Sequence, residues 1–70
     1  MTEAQKARFA KDLEGMAGEP PMEIFDYHDG WSAFFKSEIA ALRVANKYSR
    51  YAQLVKFCPT AGWWRAGTKK

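Results

Sequence analysis

Between Gly30 and Pro59 no Gly or Pro interrupts the chain, and apolar residues recur through that stretch at a helical period. Phe34, Ser37, Ala41, Val44, Tyr48, Tyr51, Val55 and Cys58 follow a 3-4-3-4 spacing, the seam of a coiled coil. Trp31, Phe35, Leu42, Ala45, Ser49 and Ala52 run beside that seam and widen it into an apolar face. Lys36, Arg43, Lys47 and Arg50 fall together on the opposite side. The pattern predicts one long helix over residues 30–58, opened by Asp29 as its cap and closed before Pro59.

A second, shorter helix is predicted over residues 3–15. Phe9, Leu13 and Met16 sit at i, i+4 and i+7, and Thr2 with Gln5 has the form of a capping box. Gly15 and Gly18 supply stops. Residues 16–29 read as an acidic linker, because Pro20-Pro21 favours extended backbone. Met22, Ile24, Phe25 and Tyr27 are too apolar for a free linker, so the segment is expected to lie along the long helix. A short strand there has one candidate partner, near Gly62–Arg65, and two strands alone are barely stable. Residues 59–70 read as an aromatic and basic tail, with Trp63 or Trp64 folding back onto Leu54 and Phe57. The expected fold class is thus all-α, in a single domain spanning 1–70.

Length adds a constraint. A helix of about 28 residues is roughly 42 Å long, whereas a 70-residue globule is roughly 28 Å across. Either the helix breaks or a second chain covers it. With no breaker in the sequence, the expectation is a homodimer paired along Phe34, Ala41, Val44, Tyr48, Tyr51 and Val55.

Charge divides the chain in two. Residues 1–30 carry three cations against seven carboxylates, net −4; residues 31–70 carry eight cations against Glu38 alone, net +7. Aromatic residues make up 16% of the chain, which argues against disorder. Cys58 is the only cysteine, so no internal disulfide forms and a reducing, cytoplasmic setting fits. The charged N-terminus does not read as a signal sequence, and no apolar run reaches the ~18 residues of a membrane span.

Candidate chemistry is sparse. His28 lies between Asp26 and Asp29 in one short turn, without the convergent ligands a metal needs. Glu23 and Asp26 are spaced as an acid pair but nothing predicts a pocket around them, and Cys58 has no neighbouring His. No phosphate loop, GxSxG or CxxC motif is present. No catalytic residue, metal or cofactor is expected, and the protein reads as non-enzymatic. The favoured role is a small adaptor or inhibitor docking on a larger protein partner. Lys36, Arg43, Lys47 and Arg50 would guide it electrostatically, with Trp63, Trp64 and Arg65 as anchors. The alternative is nucleic-acid binding by the same cations, with Trp63 or Trp64 stacking on bases. The bland reading of the cations is a solvated face neutralised by the acidic segment Glu19–Asp29.

Overall fold

The chain begins as its capping signals require. In this computed structural model, which describes residues 1–48 and 55–68, helix α1 spans Glu3–Ala17. Thr2 Oγ1 accepts from the Gln5 amide at 3.1 Å, and Gln5 Oε1 accepts from the Thr2 amide at 2.9 Å. The helix passes through Gly15 and stops at Gly18, whose φ of 84° lies in the left-handed region that glycine adopts without strain. Leu13 and Ala17 are buried, and Phe9, Ala10 and Met16 pack beside them.

The next segment is a hairpin. Strand β1 (Glu23–Tyr27) pairs antiparallel with β2 (Gly30–Phe35), from Glu23 opposite Phe34 to Tyr27 opposite Gly30. His28 and Asp29 form the two-residue turn between them. Helix α2 then spans Glu38–Lys47, with Ser37 as its N-cap: Ser37 Oγ accepts from the Ala40 amide at 3.3 Å. Glu19 braces the same corner, accepting from the Ser37 hydroxyl at 2.6 Å and the Lys36 amide at 3.1 Å. Two further strands follow, β3 (Lys56–Cys58) and β4 (Trp63–Gly67). β4 inserts between β2 and β3, giving a four-stranded antiparallel sheet of order β1-β2-β4-β3.

Both helices cover one face of this sheet. Ile24, Ala33, Phe35 and Ala66 point into a core shared with Leu13, Ala17, Ala40, Ala41 and Val44. Ala33 stands directly opposite Ala66 in the β2–β4 ladder, and α2 presents Ala40 and Ala41 to the core. Small residues on both layers let helix and sheet approach closely. The Cα trace measures 28 × 24 × 23 Å with a radius of gyration of 10.9 Å.

The fold is therefore α+β, and the all-α expectation is overturned. Residues 30–58 do not form one helix. Trp31, Phe34 and Phe35 lie in a strand, and the chain reaches its helix only after the Ser37 cap. The choice posed by length is resolved by the helix breaking. The coiled-coil seam goes with it. Phe34 is a strand residue, Ala41 and Val44 are buried in the chain's own core, Tyr48 closes α2 against Trp31, and Val55 packs on the core ahead of β3. Tyr51 and Arg50 lie outside the described residues. The linker over 16–29 contributes a strand, as does the tail over 59–70. Their pairing is sound because it passes through β2 in a four-stranded sheet, where two strands alone would not hold.

Candidate functional site

Alternation along the strands sorts their side chains between two faces. Residues paired directly across the ladders share a face, so Ile24, Ala33 and Ala66 define the covered side. Glu23, Phe34, Arg65 and Lys56 then make one transverse row on the open side. Phe25 and Ser32 stand one row along, and Trp63 with Cys58 one row the other way. Aromatic rings link these rows. Phe34 meets Phe25 edge-on at 5.7 Å between centroids, and Trp63 lies 6.1 Å from Phe34 on its other side. Phe25 is 48% exposed and Tyr27 39%, high values for rings on a sheet face.

Arg65 is held in one direction. Its Nε donates to Ser32 Oγ at 2.9 Å and its Nη2 to the Thr68 carbonyl at 3.4 Å. Ser32 is fully buried although it faces no helix. Thr68 is fixed in turn: its amide donates to the Trp31 carbonyl at 3.0 Å, and its hydroxyl accepts from the Trp31 amide at 3.1 Å. Gly67 permits this closeness, since a Cβ there would fall far inside contact with the Trp31 carbonyl and 2.9 Å from Ser32 Cα. The clamp therefore depends on a strand crossing that only glycine allows.

Lys56 stands directly opposite Arg65. Like charges directly opposite each other across a ladder are destabilising, so this pair opposes folding unless an anion joins it. Among the described residues the only ion pair is between the N-terminal ammonium of Met1 and Asp26. Glu23 shares the row but stands on the far side of Phe34, two strands from Arg65. Within the acidic segment, Glu19 braces the α2 cap and Asp26 meets the N-terminus, so neither of these two carboxylates answers a side-chain cation of the basic half among the described residues.

The residues predicted to form one docking surface are split between layers. Trp63 and Arg65 are on the open face. Trp64 turns to the covered face, where it packs on the core and lies 5.1 Å from Phe57. Arg43 and Lys47 are exposed on α2, across the sheet from Trp63, and Lys36 is exposed just ahead of the cap. Arg43 also ties the two helices together. Its Nη1 donates to the Ala17 carbonyl at 3.2 Å, placing a cation at the end of α1, whose own last turn has none. Phe25, Ser32 and Lys56 are residues of this face that the helical reading missed, and Phe34, assigned there to a dimer seam, joins them. The β-favouring residues Ile24, Phe25 and Tyr27 following Pro20-Pro21 were the signal for the first of them.

Other features offer little chemistry. A groove of about 250 Å³ between α1 and β1 is floored by Ala7, Ala10, Pro21 and Ile24 and edged by Glu3, Lys6 and Glu23. It is smaller than the usual ~300–1,000 Å³ of a ligand pocket. Cys58 is a half-buried free thiol. Among the described residues, no group of three or more His, Cys, Asp or Glu is placed to hold a metal ion. No described helix is long and apolar enough to cross a membrane. Tyr48 has its pKa raised from 10.0 by burial first and by the negative charge of Asp12 second. No family model, curated protein or solved structure matches the chain.

Proposed function

We propose that this chain is a non-enzymatic binding protein that holds single-stranded nucleic acid on the open face of its sheet. The observation that carries this reading is the pair Lys56 and Arg65, set side by side next to Phe34 and Trp63, with Phe25 continuing the ring row beyond Phe34 and no carboxylate among the described residues bound to either cation. Cations track a phosphate backbone, and exposed rings offer stacking surfaces to unpaired bases. A sheet face carrying both suits a single strand better than a duplex, whose bases are already stacked and whose grooves admit a helix or a ribbon. The lone thiol Cys58 fits a cytoplasmic setting, where it stays reduced.

The test is fluorescence anisotropy with labelled single-stranded and duplex oligonucleotides over a salt series. Single strands should bind more tightly, and log K should fall linearly with log salt. Trp63→Ala should weaken binding by about 1–3 kcal/mol, the usual value of one stacked base. Absence of binding at low salt, or equal affinity for the duplex, would overturn the proposal. Docking of a protein partner on the same face is the second reading, favoured by the exposed Phe25 on a face that also carries Trp63 and Arg65. It is the reading that remains if the oligonucleotides do not bind and the open-face rings still prove necessary for the protein's role.

A further inference from the structure

We propose that Arg65 and Lys56 together form a phosphate-binding subsite, with Ser32 and Thr68 as the residues that aim it. The proposal rests on the nucleic-acid reading only in taking the phosphate to be part of a strand; the site itself is argued from its own geometry. Arginine has five N–H donors in a rigid fork. Two are spent on Ser32 Oγ and the Thr68 carbonyl, and no other hydrogen bond or ion pair of Arg65 occurs among the described residues. The remaining donors are left for a tetrahedral oxyanion, which the fork meets in bidentate fashion. Ser32 is the only buried polar side chain among the described residues, and its hydroxyl accepts from the arginine. An ordinary surface arginine has no such anchor.

The direction of the clamp matters. Ser32 is on β2 and Lys56 is on β3, on opposite flanks of β4. Ser32 and Thr68 thus draw the guanidinium away from Lys56 while leaving both cations on one face. A phosphate between them answers both charges, with the fork on one side and the flexible ammonium on the other. Phe34 stands beside Arg65 in the same row, on the neighbouring strand, and Trp63 stands one row beyond the pair. Neighbouring strands are roughly 4.8 Å apart and same-face rows roughly 7 Å apart along a strand, so a phosphate bound at this place has the rings of Phe34 and Trp63 within reach.

The experiment compares thermal midpoints in sodium phosphate and in sodium chloride at matched ionic strength, for wild type, Arg65→Gln, Lys56→Gln and Arg65→Lys. Phosphate stabilises most proteins by exclusion from their surface, so the signature is the difference between wild type and variant. Phosphate should raise the wild-type midpoint further than it raises that of Arg65→Gln or Lys56→Gln. In chloride, Lys56→Gln should melt no earlier than wild type, because it relieves a like-charge pair. A lysine kept only for packing would give the reverse. In the oligonucleotide arm, Arg65→Gln and Lys56→Gln should each flatten the salt slope by about 0.7, the value of one phosphate on a single strand. Arg65→Lys should keep the slope and lose several-fold in affinity, since charge remains and the fork does not. A phosphate effect lost in the variants, without any oligonucleotide binding, supports the subsite and rejects the strand as its ligand. Oligonucleotide binding with slopes and phosphate effects unchanged in every variant overturns the subsite and leaves the broader reading standing.

Discussion

Gly67→Ala is the substitution on which the α+β fold and a frayed C-terminal tail differ most sharply. In a tail without fixed structure, replacing Gly by Ala restricts the native and unfolded ensembles alike and leaves stability unchanged. In the observed fold the added methyl meets the Trp31 carbonyl and Ser32 Cα, both backbone atoms of the central strand. Neither moves without opening the β2–β4 ladder, and Thr68, which extends that ladder through three hydrogen bonds to Trp31, would be displaced with it. Overpacking of this kind costs about 1–3 kcal/mol, and loss of a backbone bond to Trp31 adds about 1 kcal/mol. At ~4–8 °C per kcal/mol for a domain of this size, the melting midpoint should fall by about 10 °C or more. Gly15→Ala is the control. It lies inside α1 with nothing within 4 Å of the new Cβ, so it should gain about 0.5–1 kcal/mol and raise the midpoint by a few degrees. Circular dichroism melts of the two variants suffice. Equal and small shifts would refute the placement of β4 against β2.

Phe35→Ala removes the largest fully buried side chain among the described residues and should cost about 3–5 kcal/mol. A chain of this length holds about 3.5–10 kcal/mol in all, so urea titration should find the variant largely unfolded or its midpoint halved. Arg43→Gln should destabilise by about 1 kcal/mol through the lost cation at the end of α1, while Lys47→Gln stays within about 0.5 kcal/mol of wild type. Tyr48 titrates above its unfolded value, so its contribution is fully present below pH 10 and is lost as pH rises through the folded pKa. Tyr48→Phe should therefore flatten the alkaline loss of stability, and Asp12→Asn should bring the tyrosinate absorbance of Tyr48 in at lower pH.

The first helix was legible because its signals are local: the Thr2–Gln5 box, the Phe9–Leu13–Met16 stripe and Gly18 all act within a few residues. The dimensions were legible too, since size follows from chain length, and a globule about 28 Å across could not contain the rod that the periodicity implied. The break was the part that was missed. Its marker is Ser37 followed by Glu38, an N-cap and an acid in the first turn, but Ser37 also fits the 3-4 spacing of a seam and reads there as an interior position. The aromatic clusters 25–35 and 57–64 carried a second signal, because aromatic residues favour strands. A strand near Gly62–Arg65 was legible as a candidate, but the position of β4 was not: its place between β2 and β3 depends on Gly67 and Thr68 meeting Trp31, a contact across more than thirty residues.

The reason β2 passed for helix bears on what the face does. A strand with one wet side alternates, but Ser32, Ala33, Phe34 and Phe35 are all buried, and a continuous run of that length has no period by which strand and helix can be told apart. Ala33 and Phe35 are buried by the helices. Ser32 and Phe34 are not; they face the open side, where Arg65 holds Ser32 and the rings of Phe25 and Trp63 flank Phe34. The lost alternation is thus the imprint of a covered open face, built by a positioned cation and three interlocked rings. The rings and the Arg65–Ser32 contact favour folding, but Lys56 directly opposite Arg65 works against the sheet and has no reason in folding alone. A phosphate-bearing ligand supplies the missing reason, and it predicts that a variant which binds poorly, Lys56→Gln, will be no less stable than the protein it came from.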